Sequence, residues 1–150
     1  LFVSEGAITS YSEEEKVTAH ANEGILMKCG TFLGKMLNEK PNGTYEAMAV
    51  HFYPEVLEKV FETGLPSFLQ DLDGTESNSS LVKVGADELF GKFFEGMIYY
   101  FSHPSLVNDE VIVLKLKEIL FVVCYSKLNL SGQYEKFCDI YFRIVTRSKT

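Results

Sequence analysis

Residues 49–57 divide the chain into two parts with different hydrophobic periodicity: Ala49-Val50-His51-Phe52-Tyr53-Pro54-Glu55-Val56-Leu57. Before this segment, the apolar residues come in short strand-like runs that glycines and polar turns separate. From Pro54 onwards they recur about every 3.6 residues, and a proline followed by a glutamate favours the start of a helix. The chain is therefore predicted to be α+β, with its strands first and its helices afterwards.

The part before Pro54 is predicted to form strands at residues 1–3, 7–11, 16–20, 24–30, 31–36 and 45–53. The polar residues 12–15 suit a hairpin turn, and Pro41-Asn42-Gly43 supplies a second turn. The strand at 45–53 has apolar residues on both faces, as expected inside a barrel or a sandwich. We expect the later half of a small β-barrel whose earlier strands are missing from this sequence.

The part from Pro54 is predicted to contain three to four helices, at residues 54–64, 87–101, after Asn108, and 131–147. Asn108 and Ser131 suit the N-caps of the last two. The helix after Asn108 is apolar on nearly all sides, so we predict that it is buried all round. Residues 71–80 are predicted to form a polar loop, the most mobile internal segment that the sequence indicates.

Composition limits the classes of protein to consider. The 150 residues are 46% hydrophobic and 23% charged, which suits one domain with a sizeable core and excludes disorder as the main state. Fourteen basic against 21 acidic residues give a net charge of −7, the opposite of the basic surface that a nucleic acid selects. No apolar run approaches the roughly 20 residues of a membrane span.

The cysteines and the first residue bear on the setting of the protein. Cys29, Cys124 and Cys138 are an odd set in apolar surroundings without a metal-binding spacing, so they are predicted to be reduced core residues of a cytoplasmic protein. The sequence begins at Leu1 without a signal peptide, and we expect it to be part of a longer chain.

Residues that could carry catalysis are scattered. The sequence lacks a phosphate-binding glycine loop, a dinucleotide fingerprint, a nucleophile elbow and an HExxH motif. His20, His51 and His103 stand apart, without the spacing of metal ligands. Residues 13–15, three glutamates, suit a solvated hairpin tip, whereas Glu5, near the mouth of the expected barrel, is the better candidate for a pocket carboxylate. We predict no catalytic residue, no metal and no cofactor.

The helices carry more apolar surface than the β part can cover. Most aromatic residues belong to helical stripes and are predicted to be core, but the remaining surface is expected to meet a second copy of the chain or a partner. We predict a homodimer through the helix at 87–101, with the helix at 131–147 as the second choice. The predicted interface residues are Leu89, Phe90, Phe93, Phe94, Met97, Tyr134, Phe137 and Tyr141.

Four segments carry a resemblance to a known family. They are Leu1-Phe2-Val3-Ser4-Glu5-Gly6, Gly24-Ile25-Leu26-Met27-Lys28-Cys29-Gly30, residues 49–57 quoted above, and Leu114-Lys115-Leu116-Lys117-Glu118-Ile119-Leu120. In this order they resemble the N-terminal regulatory domain of AraC-type bacterial transcription regulators, closest to the branch that controls type III secretion genes. The resemblance spans most of the chain and rests on hydrophobic residues and glycines.

The resemblance implies one regulatory domain over residues 1–150, with a cupin-like β-barrel to residue 53 and dimerising helices from residue 54. A C-terminal domain with two helix-turn-helix motifs would follow and is absent from this sequence. In this family the domain senses a small molecule in the barrel or a regulatory protein. For a small molecule, the expected pocket residues are Glu5, Ile25, Met27, Met48 and Val50.

Two alternatives come from other classes of protein. One is a metal-dependent cupin enzyme, which needs metal ligands that this segment does not provide. The other is a free-standing interaction protein that uses its apolar helices without a DNA-binding domain. Metal analysis tests the first, and the continuation of the chain separates the second from a regulator.

Overall fold

The fold is α+β, with two antiparallel sheets followed by two main helices. The computed structural model describes residues 1–27, 30–39, 41–64, 79–85 and 87–128, without the side chains of residues 54, 57 and 124–128. In chain order the elements are β1 (Phe2–Glu5), β2 (Ala7–Tyr11), β3 (Lys16–His20), β4 (Glu23–Met27), β5 (Leu33–Leu37), β6 (Glu46–Met48), α1 (Pro54–Val60), β7 (Leu81–Gly85), α2 (Glu88–Ser102), a 3-10 turn (Pro104–Leu106) and α3 (Asp109–Leu128).

The first sheet has the strand order β6-β1-β4-β7 and is antiparallel throughout. Phe2 of β1 lies opposite Gly24 on one side and Met48 on the other. Strand β7 pairs with β4 along its whole length, from Gly85 opposite Glu23 to Leu81 opposite Met27. No strand was predicted after residue 53, and this prediction was wrong.

The second sheet has the order β3-β2-β5, with β2 in the centre. Strands β2 and β3 form the predicted hairpin, whose tip is closed by a hydrogen bond from the Ser12 amide to the Glu15 carbonyl (2.9 Å). Strands β2, β3 and most of β5 agree with the prediction. The strand predicted at 45–53 is shorter, since only Glu46–Met48 pairs.

A buried apolar cluster packs the two sheets together. Val3, Ile25 and Leu81 come from the first sheet, and Ile8 and Ala19 come from the second. Each sheet thus covers the apolar face of the other, as in a sandwich or a barrel. The strands and the helices that follow them confirm the α+β class. Among the described strands, none of one sheet is hydrogen-bonded to a strand of the other, so closure into a barrel is not seen.

The two main helices begin at the side-chain caps that their sequences favour. The Asp87 carboxylate accepts a hydrogen bond from the Phe90 amide (2.8 Å) at the start of α2. The Asn108 side chain accepts one from the Val111 amide (2.9 Å) at the start of α3, which confirms the predicted cap. His103, followed by Pro104, ends α2.

Helix α3 is not buried all round, contrary to the prediction. Its second half buries Ile119, Leu120, Val122 and Val123, but Ile112, Leu114 and Phe121 are 46%, 65% and 46% exposed. The physical reason is that a single chain covers only part of a helix that is apolar on most sides. The predicted mobile loop at 71–80, except its last two residues, and the predicted helix at 131–147 lie outside the described residues.

The described residues fall into two compact units. One comprises those within 1–50 and 79–94, and therefore both sheets and the beginning of α2. The other comprises those within 51–64 and 95–128, and therefore α1, the end of α2 and α3. No described helix is long and apolar enough to cross a bilayer.

Candidate functional site

The predicted pocket residues lie in different surroundings within the first unit. Ile25 is fully buried in the apolar cluster, and Met27 packs against that cluster from the same strand. Met48 and Val50 are half-buried, Met48 in the edge strand β6 opposite Phe2. Strand β4 therefore places Ile25 and Met27 together at the core.

Glu5 lies at the surface. Its carboxylate accepts hydrogen bonds from the Thr44 hydroxyl (2.7 Å) and the Thr44 amide (3.3 Å). The neighbouring Gly6 has a φ of 77°, and a Cβ there would lie 2.7 Å from the Leu37 carbonyl oxygen. Glu5 thus links the end of β1 to the residues just before β6, and this contact is structural.

Ser10 is a polar residue in the interior that was not predicted as a site residue from the sequence. It is 1% exposed, two residues after Ile8 on the same face of β2, and its Cα partners are Val17 and Gly34. Its hydroxyl oxygen has no hydrogen-bond partner in the described part of the chain. Because a buried hydroxyl without a partner loses its hydration, this position favours any group that can bond to it.

Tyr45 brings a second polar group to the edge of the same cluster. It is partly buried and packs against the apolar core, and burial raises the pKa of its phenol. The interior of the first unit therefore combines an apolar surface with a serine hydroxyl and a tyrosine.

A carboxylate joins the hairpin tip to the other sheet. Glu15 accepts hydrogen bonds from the hydroxyls of Ser79 (2.6 Å) and Ser80 (2.7 Å) and from the amides of Ser80 (2.6 Å) and Leu81 (3.2 Å). Desolvation alone would raise the pKa of Glu15, but these four hydrogen bonds lower it to about 2. Two of the three predicted solvated glutamates, Glu13 and Glu14, are exposed, and Glu15 is half-buried.

A second polar cluster surrounds the turn between β3 and β4. Glu23 accepts a hydrogen bond from the His20 amide (2.8 Å) and pairs with Lys83 of β7 (2.7 Å). Desolvation opposes ionisation of Glu23, but these partners lower its pKa. The His20 ring contacts Glu39. Within the described ranges, no three His, Cys, Asp or Glu side chains group as metal ligands.

The predicted interface residues at the start of α2 are mostly buried within one chain. Phe90, Phe93 and Phe94 are buried, and Phe94 stacks on Phe2 with ring centroids 4.1 Å apart. Phe90 sits where two glycines leave space, because a Cβ on Gly24 or Gly85 would lie under 3.0 Å from its ring.

Of the remaining predicted interface residues, Leu89 is exposed and Met97 is half-buried. Tyr134, Phe137 and Tyr141 lie outside the described residues. Outside the predicted set, Ile98, Tyr99 and Phe101 of α2 are 42%, 54% and 67% exposed, so most of the exposed apolar surface of this helix lies at residues that were not predicted.

An apolar groove of about 760 Å³ runs along α1 and α3 in the second unit. Val56, Ile112 and Leu114 are exposed in it although all three are large and apolar. The polar side chains that line the groove are those of Glu55, Lys59, Asp109 and Glu110, near the helix ends. The residues that line it are Glu55, Val56, Lys59, Val60, Asp109, Glu110, Ile112, Val113, Leu114 and Leu116.

These features define an α+β domain that presents an apolar helical surface, as domains that act through protein partners do. Residues 1–131 match the family model described as the ExsA N-terminal regulatory domain, and the chain belongs to this family. ExsA is an AraC-family regulator of type III secretion, so the predicted family is confirmed. The family is one of transcription-factor regulatory domains and not of enzymes. No curated protein and no solved structure matches the chain.

Proposed function

We propose that this chain is the signal-sensing and dimerisation domain of a cytoplasmic AraC-type transcription regulator. It adjusts DNA binding by an attached helix-turn-helix domain. The family match supports this role, and the acidic balance of the chain suits a domain that leaves the DNA contacts to another part. A cupin-like closure of the two sheets belongs to the same proposal.

The groove along α1 and α3 is the observation that carries the dimerisation step. A monomeric protein rarely leaves a contiguous apolar groove in water, and a dimer covers such a surface twice because both copies use it. We place Ile112 and Leu114 at the centre of the interface, with Val56 beside them. Leu89 and Met97 of α2, which are exposed and half-buried, stay in the proposal as interface residues predicted from the sequence.

The substitution Leu114→Glu tests this interface. Full burial of a leucine contributes about 1.5 to 3 kcal/mol. Since Leu114 is 65% exposed in one chain and occurs twice in a dimer, its burial contributes about 2 to 4 kcal/mol. We expect Leu114→Glu to weaken the dimer at least about 30-fold in sedimentation equilibrium.

Leu106→Glu is the matched control, since Leu106 is exposed but does not line the groove. It should leave the dimerisation constant nearly unchanged. Equal loss of the dimer in both variants would place the interface elsewhere. A wild-type chain that stays monomeric at tens of micromolar would contradict the dimerisation step itself.

The sensing step is assigned to the interior of the first unit. Ile25 and Met27 supply apolar contacts, and the Ser10 hydroxyl supplies a group that can orient a small molecule. Met48, Val50 and Glu5, from the sequence prediction, would border it. A signal shifts the arrangement of the attached domains only by the difference in its affinity for the two arrangements.

A thermal-shift screen of sugars, organic acids and aromatic metabolites tests this assignment. A compound that stabilises the wild type but not Ser10→Ala would support an internal site. Silence across the screen would favour a regulatory protein as the signal, bound at the surface.

A further inference from the structure

Strand β5 is an edge strand that is exposed along almost its whole length. It pairs with β2 on one side, and no strand of the described part pairs with its other side. Leu33 is 72% exposed and Met36 is 64% exposed, and Gly34 and Lys35 between them are also exposed. A row of free backbone N–H and C=O groups beside exposed apolar side chains is the surface that an added strand recognises.

The other sheet edges differ from β5. Strand β6 has three residues, β7 is buried at four of its five positions, and β3 is half-buried or buried at its three central positions. Proteins commonly protect edges by shortening or covering them. Among the described edge strands, β5 is the most exposed, with four of its five residues exposed and the fifth half-buried.

The two faces of β5 determine which side chains an added strand would meet. Met36 lies opposite Ile8 and hence on the face that contains the apolar cluster, together with Gly34. A Cβ on Gly34 would crowd the Ile8 side chain at 3.2 Å, but glycine has no side chain, so a bulky residue of an added strand can lie beside this position. Leu33, Lys35 and Leu37 lie on the opposite face.

The charge at the centre of β5 decides between a second copy and another protein. Two β5 strands that pair antiparallel over all five residues place Lys35 against its own copy, and like charges directly opposite destabilise a sheet. A strand with an acidic residue at that position gains an attraction instead. Charge complementarity therefore favours a different polypeptide.

We propose that β5 is a docking edge for an extended segment of another protein, which adds to the β3-β2-β5 sheet as a fourth strand. The segment carries an acidic residue opposite Lys35, apolar residues opposite Leu33 and Leu37, and a bulky residue opposite Gly34. Main-chain hydrogen bonds supply affinity, and the Lys35 pair fixes the register. This edge belongs to the first unit, whereas the groove along α1 and α3 belongs to the second.

A capped peptide, Ser-Val-Thr-Glu-Ile-Val-Ser, is the probe for this edge. We expect it to bind the 150-residue chain in fluorescence anisotropy and to slow hydrogen exchange of the amides within residues 33–37. N-methylation of alternate peptide amides should abolish binding, because it removes main-chain donors without changing the side chains.

The charge at position 35 supplies the matched variants. Replacing the peptide glutamate with lysine should weaken binding about three- to fivefold, and Lys35→Glu should restore it. Lys16→Glu, an exposed lysine on the other edge strand, should leave binding unchanged. Both lysines are exposed, so neither variant depends on repacking the core.

Three results would overturn the proposal. The first is no binding at millimolar peptide, and the second is binding without protection of residues 33–37. The third is protection of those amides that rises with protein concentration in the absence of peptide, since the added strand would then come from a second copy.

Discussion

The hydrogen bonds of Glu15 predict a pH-dependent stability that a single substitution removes. Glu15 at the hairpin tip receives four hydrogen bonds from residues 79–81, where β7 begins. Glu15→Gln keeps the shape of the side chain but removes its charge, and charge-assisted hydrogen bonds are about twice as strong as neutral ones. The substitution should therefore weaken the contact between the hairpin and β7.

The magnitude follows from the lowered pKa. The pKa of Glu15 falls from its ordinary value of 4.5 to about 2. In a shielded site this shift corresponds to about 3 kcal/mol, and solvent screening of this partly exposed carboxylate reduces it to about 1 to 2 kcal/mol. A depressed pKa stabilises the folded state above pH 4.5, and this stabilisation is lost as the pH falls through about 2.

Urea unfolding at pH 7 and at pH 3 tests this reasoning. Glu15→Gln should lower the free energy of unfolding by about 1 to 2 kcal/mol at pH 7 and by less than half of that at pH 3. Glu14→Gln is the control, since Glu14 is the exposed neighbour on the same turn. An equal loss at both pH values, or an equal loss from both substitutions, would refute the role of the ionised carboxylate.

Two further substitutions test local contacts, both measured by urea unfolding. Ser10→Ala should leave the free energy of unfolding within about 0.5 kcal/mol of the wild type or raise it, because it removes a buried hydroxyl without a partner in the described chain; a loss above about 1 kcal/mol would reveal a missed hydrogen bond. Asn108→Ala should cost about 1 kcal/mol by removing the cap of α3. Asn108→Asp retains an acceptor and should cost less, and equal costs for the two would argue against capping.

Local signals in the sequence predicted much of the fold. The strands Ala7–Tyr11 and Lys16–His20 lie at the predicted residues, because two short β-rich runs on either side of a polar turn specify a hairpin with few long-range contacts. The start of α3 after Asn108 was also predicted, since an N-cap depends on residues within one turn.

Elements that depend on distant partners were predicted less well. Strand β7 is a five-residue run whose state depends on pairing with β4, about 60 residues earlier, so its own periodicity is too short to identify it. The run at 45–53 is apolar enough for a long strand, yet only Glu46–Met48 finds a partner in β1. Glu15 was predicted to be solvated, because the hydroxyls and amides that bind it lie more than 60 positions away.

The candidate sites divide in the same way. The sequence by itself determined the α+β class, the family and the excess of apolar helical surface, since all three are properties of local pattern and composition. Only the tertiary structure decided that Phe90 and Phe94 pack on their own sheet, whereas Leu114 and Met36 stay exposed. An apolar stripe has the same periodicity whether its own chain or a partner covers it, and long-range packing alone distinguishes the two.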